Sequence, residues 1–270
     1  CNDIIIDISL KNIITSEIVY KKNVLFMKIP CLIKSKLCTS KNNNTFKKIG
    51  GYFIIKGYER ILVSQEKASL NYPYFLDGMK KKPNLELYME MRCTIEPENE
   101  NNMKLIQIGF LKQFDVIVLV LSSISKIKTI NVFMLLSYLE GNVLTVKEIL
   151  NFMNIDRNDY IISLNETLQD YKNKIQINNI KDISGLKKYL DSIFQEHSKY
   201  NINYNKEIFP HMNFMNKGKY LCVIIICLLK IKLKKSNLSH RDNLGLKRMY
   251  CCGQLIGNMI TKIYKNVHKE

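Results

Sequence analysis

The sequence predicts a mixed α+β fold with a β-rich beginning and a helix-rich remainder. Three observations predict it: short β-branched runs dominate the first 70 residues, an apolar run stands at Phe114–Leu121, and helical spacing with capping signals takes over from Ile130. At 270 residues, 46% hydrophobic and 24% charged, the chain has globular composition and length for one large or two modest domains.

Ile4–Ile8, Ile18–Tyr20 and Val24–Ile29 read as strands, the last closed by Pro30, which has no N–H for a ladder. After the polar stretch Lys41–Lys48, two apolar strands flank Gly57 within Gly50-Gly51-Tyr52-Phe53-Ile54-Ile55-Lys56-Gly57-Tyr58-Glu59-Arg60-Ile61-Leu62-Val63-Ser64-Gln65-Glu66, a hairpin whose turn needs positive φ. Asn71–Asn102 is polar, carries Pro73, Pro83, Pro97 and the run Lys80–Lys82, and reads as a boundary between two units. Phe114–Leu121, short and continuously apolar, reads as a buried strand. Ile130–Glu140 reads as a helix stopped by Gly141, and Thr145-Val146-Lys147-Glu148 has capping-box spacing ahead of Ile149, Leu150 and Phe152.

Further on, Leu186, Tyr189, Leu190 and Phe194 share one helical face, Phe209-Pro210-His211 marks a break, and Tyr220–Leu233 reads as a core helix. Leu255, Ile256, Met259, Ile260 and Ile263 lie opposite Lys262 and Lys265 in an amphipathic helix that ends near Asn266. The Asn-rich pieces Asn42–Asn44 and Asn201–Asn205 read as surface loops.

The charge is unusual: 41 Lys+Arg against 24 Asp+Glu leave +17, which calls for an anionic partner, nucleic acid first. Part of the lysine excess follows from composition, because Ile, Lys, Asn, Phe and Tyr abound, Trp is absent and Ala68 is the single alanine. The five arginines, Arg60, Arg92, Arg157, Arg241 and Arg248, therefore carry more information than any lysine.

Position 1 is Cys with no basic region or small-residue cleavage site after it, so the sequence predicts no signal peptide and reads as a fragment. Its longest apolar runs fall well short of the roughly 20 residues that span a bilayer, and no membrane association is expected. The eight cysteines form no C-x-x-C pair and read as reduced, mostly buried thiols of an intracellular protein rather than a zinc site. His197, His211, His240 and His268 are scattered and read as surface or packing residues, and the acidic pairs Glu96/Glu98 and Asp156/Asp159 as solvated surface.

No phosphate-binding loop, G-x-S-x-G, H-E-x-x-H or dinucleotide fingerprint occurs, which disfavours an independent small-molecule enzyme. Two windows concentrate the scarce residues instead. Six of the eleven glycines fall in Gly50–Gly57 (Gly50, Gly51, Gly57) and Gly245–Gly257 (Gly245, Gly253, Gly257), with Arg60, Arg241 and Arg248 within or beside them. That pattern predicts turns that require glycine next to side chains that require a guanidinium, with positive φ at Gly245 to present its loop. From Lys230 to Glu270 ten basic residues face two acidic ones, a charge of +8. A guanidinium-rich loop between two helices there would clamp phosphates, with Asp242 accepting from a base amino group or orienting Arg248; the competing reading of each window is a turn glycine beside a surface salt bridge.

In order along the chain, Ile29-Pro30 with Lys34-Ser35-Lys36-Leu37-Cys38, the block Gly50–Glu66, Phe209-Pro210-His211 and Arg241-Asp242-x-x-Gly245-x-Lys247-Arg248 resemble the second-largest subunit of multisubunit DNA-directed RNA polymerases, in its eukaryotic and large-DNA-virus form. Phe110-Leu111-Lys112-Gln113 before an apolar strand also resembles that subunit, whereas Ser239-His240 stand where the family usually has acidic residues. The resemblance implies a β-rich protrusion domain (1–70) with an inserted α/β lobe domain (71–239) and a truncated return to the protrusion (240–270). It implies that Arg60 and Gln65 line a cleft near nascent RNA and that Arg241, Asp242, Lys247 and Arg248 lie near DNA. The implied partners are template DNA, nascent RNA, the largest subunit and the remainder of the second-largest, in the nucleus or cytoplasm. No cofactor is implied for this segment: Mg2+ would sit on carboxylates of the largest subunit, and the fragment alone would be inactive. The competing reading is a stand-alone or degenerate basic nucleic-acid-binding protein without catalysis.

Overall fold

The computed structural model describes residues 2–38, 49–79, 84–95, 103–121, 129–155, 157–195 and 207–267. The mixed α+β class holds, and the chain divides into two compact units, one of 1–65 with 249–256 and one of 66–248 with 257–270.

The smaller unit is built from hairpins. β1 (Asn2–Lys11) pairs antiparallel with β2 (Ile18–Ile29). The two runs expected as separate strands, Ile18–Tyr20 and Val24–Ile29, are thus one strand, because Asn23 takes φ 58° and register shifts absorb the irregularity that interrupts the pattern. β3 (Phe53–Ile55) and β4 (Tyr58–Arg60) are joined by two residues, Lys56 (φ 51°) and Gly57 (φ 81°), so the predicted positive-φ turn is present. Gly51 also has positive φ (91°), whereas Gly50 is needed for space: a Cβ there would lie 2.8 Å from both the Ile33 carbonyl oxygen and Lys34 Cβ. That close approach carries the bonds from Ile33 N–H to Tyr52 O (2.9 Å) and from Gly51 N–H to Ile33 O (3.1 Å), beside a small buried cluster of Ile33, Cys38 and Tyr52.

In the larger unit an antiparallel sheet runs β10 (Thr129–Asn131), β9 (Ile117–Leu121), β8 (Lys104–Leu111), β7 (Leu85–Cys93), β6 (Tyr74–Met79). β6 and β7 correct the reading of Asn71–Asn102 as a boundary. Polar Asp77, Glu86, Glu90 and Arg92 alternate with core residues on these strands, and that alternation was masked by the prolines and lysines around them. Pro83, Pro97, the run Lys80–Lys82 and the pair Glu96/Glu98 lie outside the described residues, as do Asp156, His197, His268 and both Asn-rich loops.

Both sheet faces are covered. Ile117 and Leu119 face a large core that includes Phe110, Met89 and Met91, while Val118 and Val120 join Tyr74, Leu76, Leu85 and Tyr88 on the other face. Leu85 and Tyr88 share a face although three residues apart, because the β7–β8 register shifts between them.

The large core is closed by helices α1 (Val132–Glu140), α2 (Val146–Phe152), α3 (Asn158–Ile177), α4 (Ile183–Gln195) and α5 (Phe214–Lys232). The predicted stops and starts are present: Gly141 caps α1 at φ 74°, and Thr145 with Glu148 makes the reciprocal capping box of α2. Fully buried Asn131 caps α1 through Phe133 N–H (2.9 Å) and donates to Thr167 O (2.9 Å) and Asp170 Oδ2 (2.8 Å), tying β10 and α1 to α3. The amphipathic C-terminal helix is α6 (Cys252–Val267), on which Met259 and Ile263 are exposed.

Among the described residues the cysteines are free thiols, with Cys38, Cys93 and Cys222 buried, Cys31, Cys227 and Cys252 half-buried and Cys251 exposed. Burial pushes the thiols of Cys93 and Cys222 up to about 12. No helix among the described residues is long and apolar enough to cross a membrane.

Candidate nucleic-acid interface

The basic loop of the second window follows α5 within the larger unit and ends in a short strand. Arg241 and Asp242 stand exposed ahead of a 3-10 turn, Leu244–Leu246, and Lys247 and Arg248 open β11 (Lys247–Tyr250), which pairs with β5 (Gln65–Ala68).

Gly245 does not have the positive φ expected of it. Asn243 makes the turn instead: its side chain accepts from Gly245 N–H (3.0 Å) while Leu246 N–H donates to Asn243 O (3.0 Å). A local side-chain hydrogen bond fixes the turn with ordinary backbone angles, so glycine is not required for its handedness.

A groove of about 220 Å³ runs beside the loop, lined by Ala68, Tyr74, Leu76, Glu90, Arg92, Arg241, Asp242 and Lys247. Three of the expected residues, Arg241, Asp242 and Lys247, thus meet at one place. Arg248 is exposed next to it and makes no ion pair among the described residues. Arg60 and Gln65 belong to the smaller unit; Arg60 ends β4 with its guanidinium carbon 5.7 Å from the Tyr58 ring centre, and Gln65 opens β5, exposed.

The structure adds Glu66, Tyr74, Tyr88, Glu90 and Arg92 to the candidate site. Lys247 Nζ donates to Glu66 Oε1 at 2.6 Å, and that hydrogen bond, with the charges of Glu66 and Asp242 behind it, holds the ammonium above its usual range. Arg241 Nη2 donates to Tyr88 Oη at 3.4 Å; burial raises the Tyr88 phenol and the Arg241 charge opposes the rise. Tyr88, Glu90 and Arg92 stand at alternate positions on β7, a period-two signal present in Leu85–Cys93 that the boundary reading left unused. Ion pairs also divide the basic C-terminal stretch: Lys232 is held by Asp115 and Lys235 by Asp159 (3.1 Å), leaving Arg248 among the unpaired cations. Among the described residues no three His, Cys, Asp or Glu side chains group closely enough to hold a metal ion.

His211, expected as a packing residue, stands edge-on to Phe209 (6.4 Å) and Tyr220 (6.3 Å), while His240 is exposed.

A family model described as RNA polymerase beta subunit matches residues 2–270. The chain belongs to this family. Among curated proteins, DNA-directed RNA polymerase II subunit 2 of Arabidopsis thaliana is 25% identical over 288 residues, covering 92% of this chain and 22% of the relative. The chain therefore spans about a fifth of that beta-family relative, and the four motif blocks read from the sequence fall within the family match. A family match over residues 2–270 does not favour the competing reading as a stand-alone or degenerate basic nucleic-acid-binding protein.

Proposed function

We propose that this chain is the protrusion-and-lobe part of the second-largest subunit of a DNA-directed RNA polymerase and that it positions template DNA and nascent RNA. Residues 1–70 and 240–270 form the protrusion and 71–239 the lobe in this reading; the discontinuous smaller unit supports it for 1–65 and 249–256, whereas 240–248 and 257–270 group with the larger unit. Nucleotidyl transfer is supplied by the assembled enzyme, with Mg2+ on carboxylates of the largest subunit, and the part described here contributes cationic contacts and docking surface. The partners are the largest subunit and the rest of this subunit. The working place is the nucleus or the cytoplasm, and the abundance of Ile, Lys, Asn, Phe and Tyr with the large-virus flavour of the motifs favours a viral source.

The observation that carries the reading is the loop Arg241–Arg248: a family-resembling motif whose Arg248 is exposed and unpaired among the described residues, next to a groove that holds two more arginines. Contacts of this kind go to phosphates, fix register without reading sequence, and are steeply salt-dependent through counterion release. In the assembled polymerase, log affinity for an RNA–DNA scaffold should fall linearly with log salt, and Arg248→Gln should flatten the slope by about one. Lys247→Gln should flatten it less, because Glu66 already engages that ammonium. A wild-type slope for Arg248→Gln would overturn the reading.

A further inference from the structure

We infer that Tyr74 and Tyr88 are positioning residues that hold the basic loop at its two ends, so that Arg241, Lys247 and Arg248 meet phosphate in a preset arrangement. The inference rests on the nucleic-acid reading of that loop and deepens it.

Both tyrosines belong to the sheet face turned away from the helices, where they are 8% and 6% exposed. Packing there asks only for their rings, and phenylalanine would fill the same space. The hydroxyls reach the loop. Tyr74 Oη donates to Leu246 O at 2.6 Å and accepts from Ser69 N–H at 3.1 Å, while Ser69 N–H also reaches Leu246 O at 3.0 Å. The Leu246 carbonyl is the last acceptor before Lys247, so this three-membered network fixes the peptide from which β11 departs. At the other end, Tyr88 Oη accepts from Arg241 Nη2.

The segment between these anchors has little else to hold it. Its 3-10 turn fully buries no residue and Leu244 is 77% exposed; inside it stand the bonds of Asn243 and one from Lys247 N–H to Leu244 O, and Leu246 is half-buried against the cluster of Tyr74 and Tyr88. A loop whose apolar burial is confined to Leu246 keeps one conformation only if hydrogen bonds also tie it to something rigid, and the sheet is the rigid element. Anchoring lowers the ordering cost at the moment of contact, the part of an ionic interaction that flexible basic loops lose. Buried tyrosine is suited to this because its ring packs while its hydroxyl faces the wetter edge.

The test uses the complete subunit assembled into polymerase and an RNA–DNA scaffold titrated across salt. Tyr74→Phe removes one oxygen and leaves the ring in place. The result expected is a loss of affinity of about three- to tenfold, a salt slope flattened toward that of Arg248→Gln, and a double variant whose loss is clearly smaller than the sum of the two single losses. A merely structural hydroxyl would lower the melting temperature and leave the slope at the wild-type value, which would overturn the inference. A double variant whose losses add in full would overturn it too, since Tyr74 would then act independently of the guanidinium. Should Arg248→Gln itself keep the wild-type slope, the nucleic-acid reading fails and the inference falls with it, a pattern distinct from failure at Tyr74 alone. Tyr88→Phe carries the same test from the Arg241 end if Tyr74→Phe does not assemble.

Discussion

Asn131 is fully buried, yet its side chain is satisfied on both sides: the carbonyl caps α1 and the amide binds α3 twice. Asn131→Ala removes all three bonds and orphans the buried Phe133 N–H in the first turn of α1, so chemical denaturation should show a loss of about 2–3 kcal/mol. His211 gives the complementary case of a titratable group with an unmet need, since its Nδ1 is buried without a hydrogen-bond partner among the described residues. Burial, and then the charge of Lys217, lower its pKa below the ordinary histidine value. The unfolded state therefore takes up a proton that the folded state resists, and stability falls as pH drops below about 6.5 toward the depressed value. His211→Phe should flatten that dependence, as read by unfolding free energies between about pH 7 and pH 5. Thiol reactivity follows burial in the same way: Cys251 should label with a maleimide in the native state, while Cys93 and Cys222 label only after unfolding.

At the scale of elements, what the sequence made legible was local. The capping box at Thr145, the Gly141 stop and the Lys56-Gly57 turn each depend on residues within a few positions, and each stands where the pattern puts it. β6 and β7 were not legible as core strands because their identity depends on partners far along the chain, and prolines and charges crowd their ends. α3, likewise, declares itself only through the face Tyr160, Leu164, Thr167, Leu168 and Tyr171, whose buried polar members are satisfied by tertiary partners. The glycines separate by the same logic. Gly57→Val places a β-branched residue at φ 81° and should cost about 1–3 kcal/mol in unfolding experiments. Gly245→Ala meets no backbone strain and should cost no more than about 1 kcal/mol, the part it does cost coming from a Cβ 3.3 Å from the Asn243 oxygen that makes the turn. A large loss at Gly245 would contradict the Asn243-made turn.

For the whole molecule, the candidate site was half legible. Arginine scarcity and the motif picked out Arg241, Asp242, Lys247 and Arg248, but not the tyrosines and acids that hold them, because a partner such as Glu66 stands 181 positions from Lys247. Net charge was a weaker guide than it looked, since Lys232, Lys235 and Lys247 are all spent on ion pairs with the chain's own carboxylates. The central claim is that the loop Arg241–Arg248 lies against nucleic acid in the working polymerase. The most direct measurement places a photo-crosslinking amino acid at Leu244, exposed in the middle of that loop, in the full subunit assembled on an RNA–DNA scaffold with labelled strands. The account predicts covalent adducts to a labelled strand that diminish as salt weakens the complex. Adducts formed solely with protein, in a polymerase that still extends RNA, would contradict it.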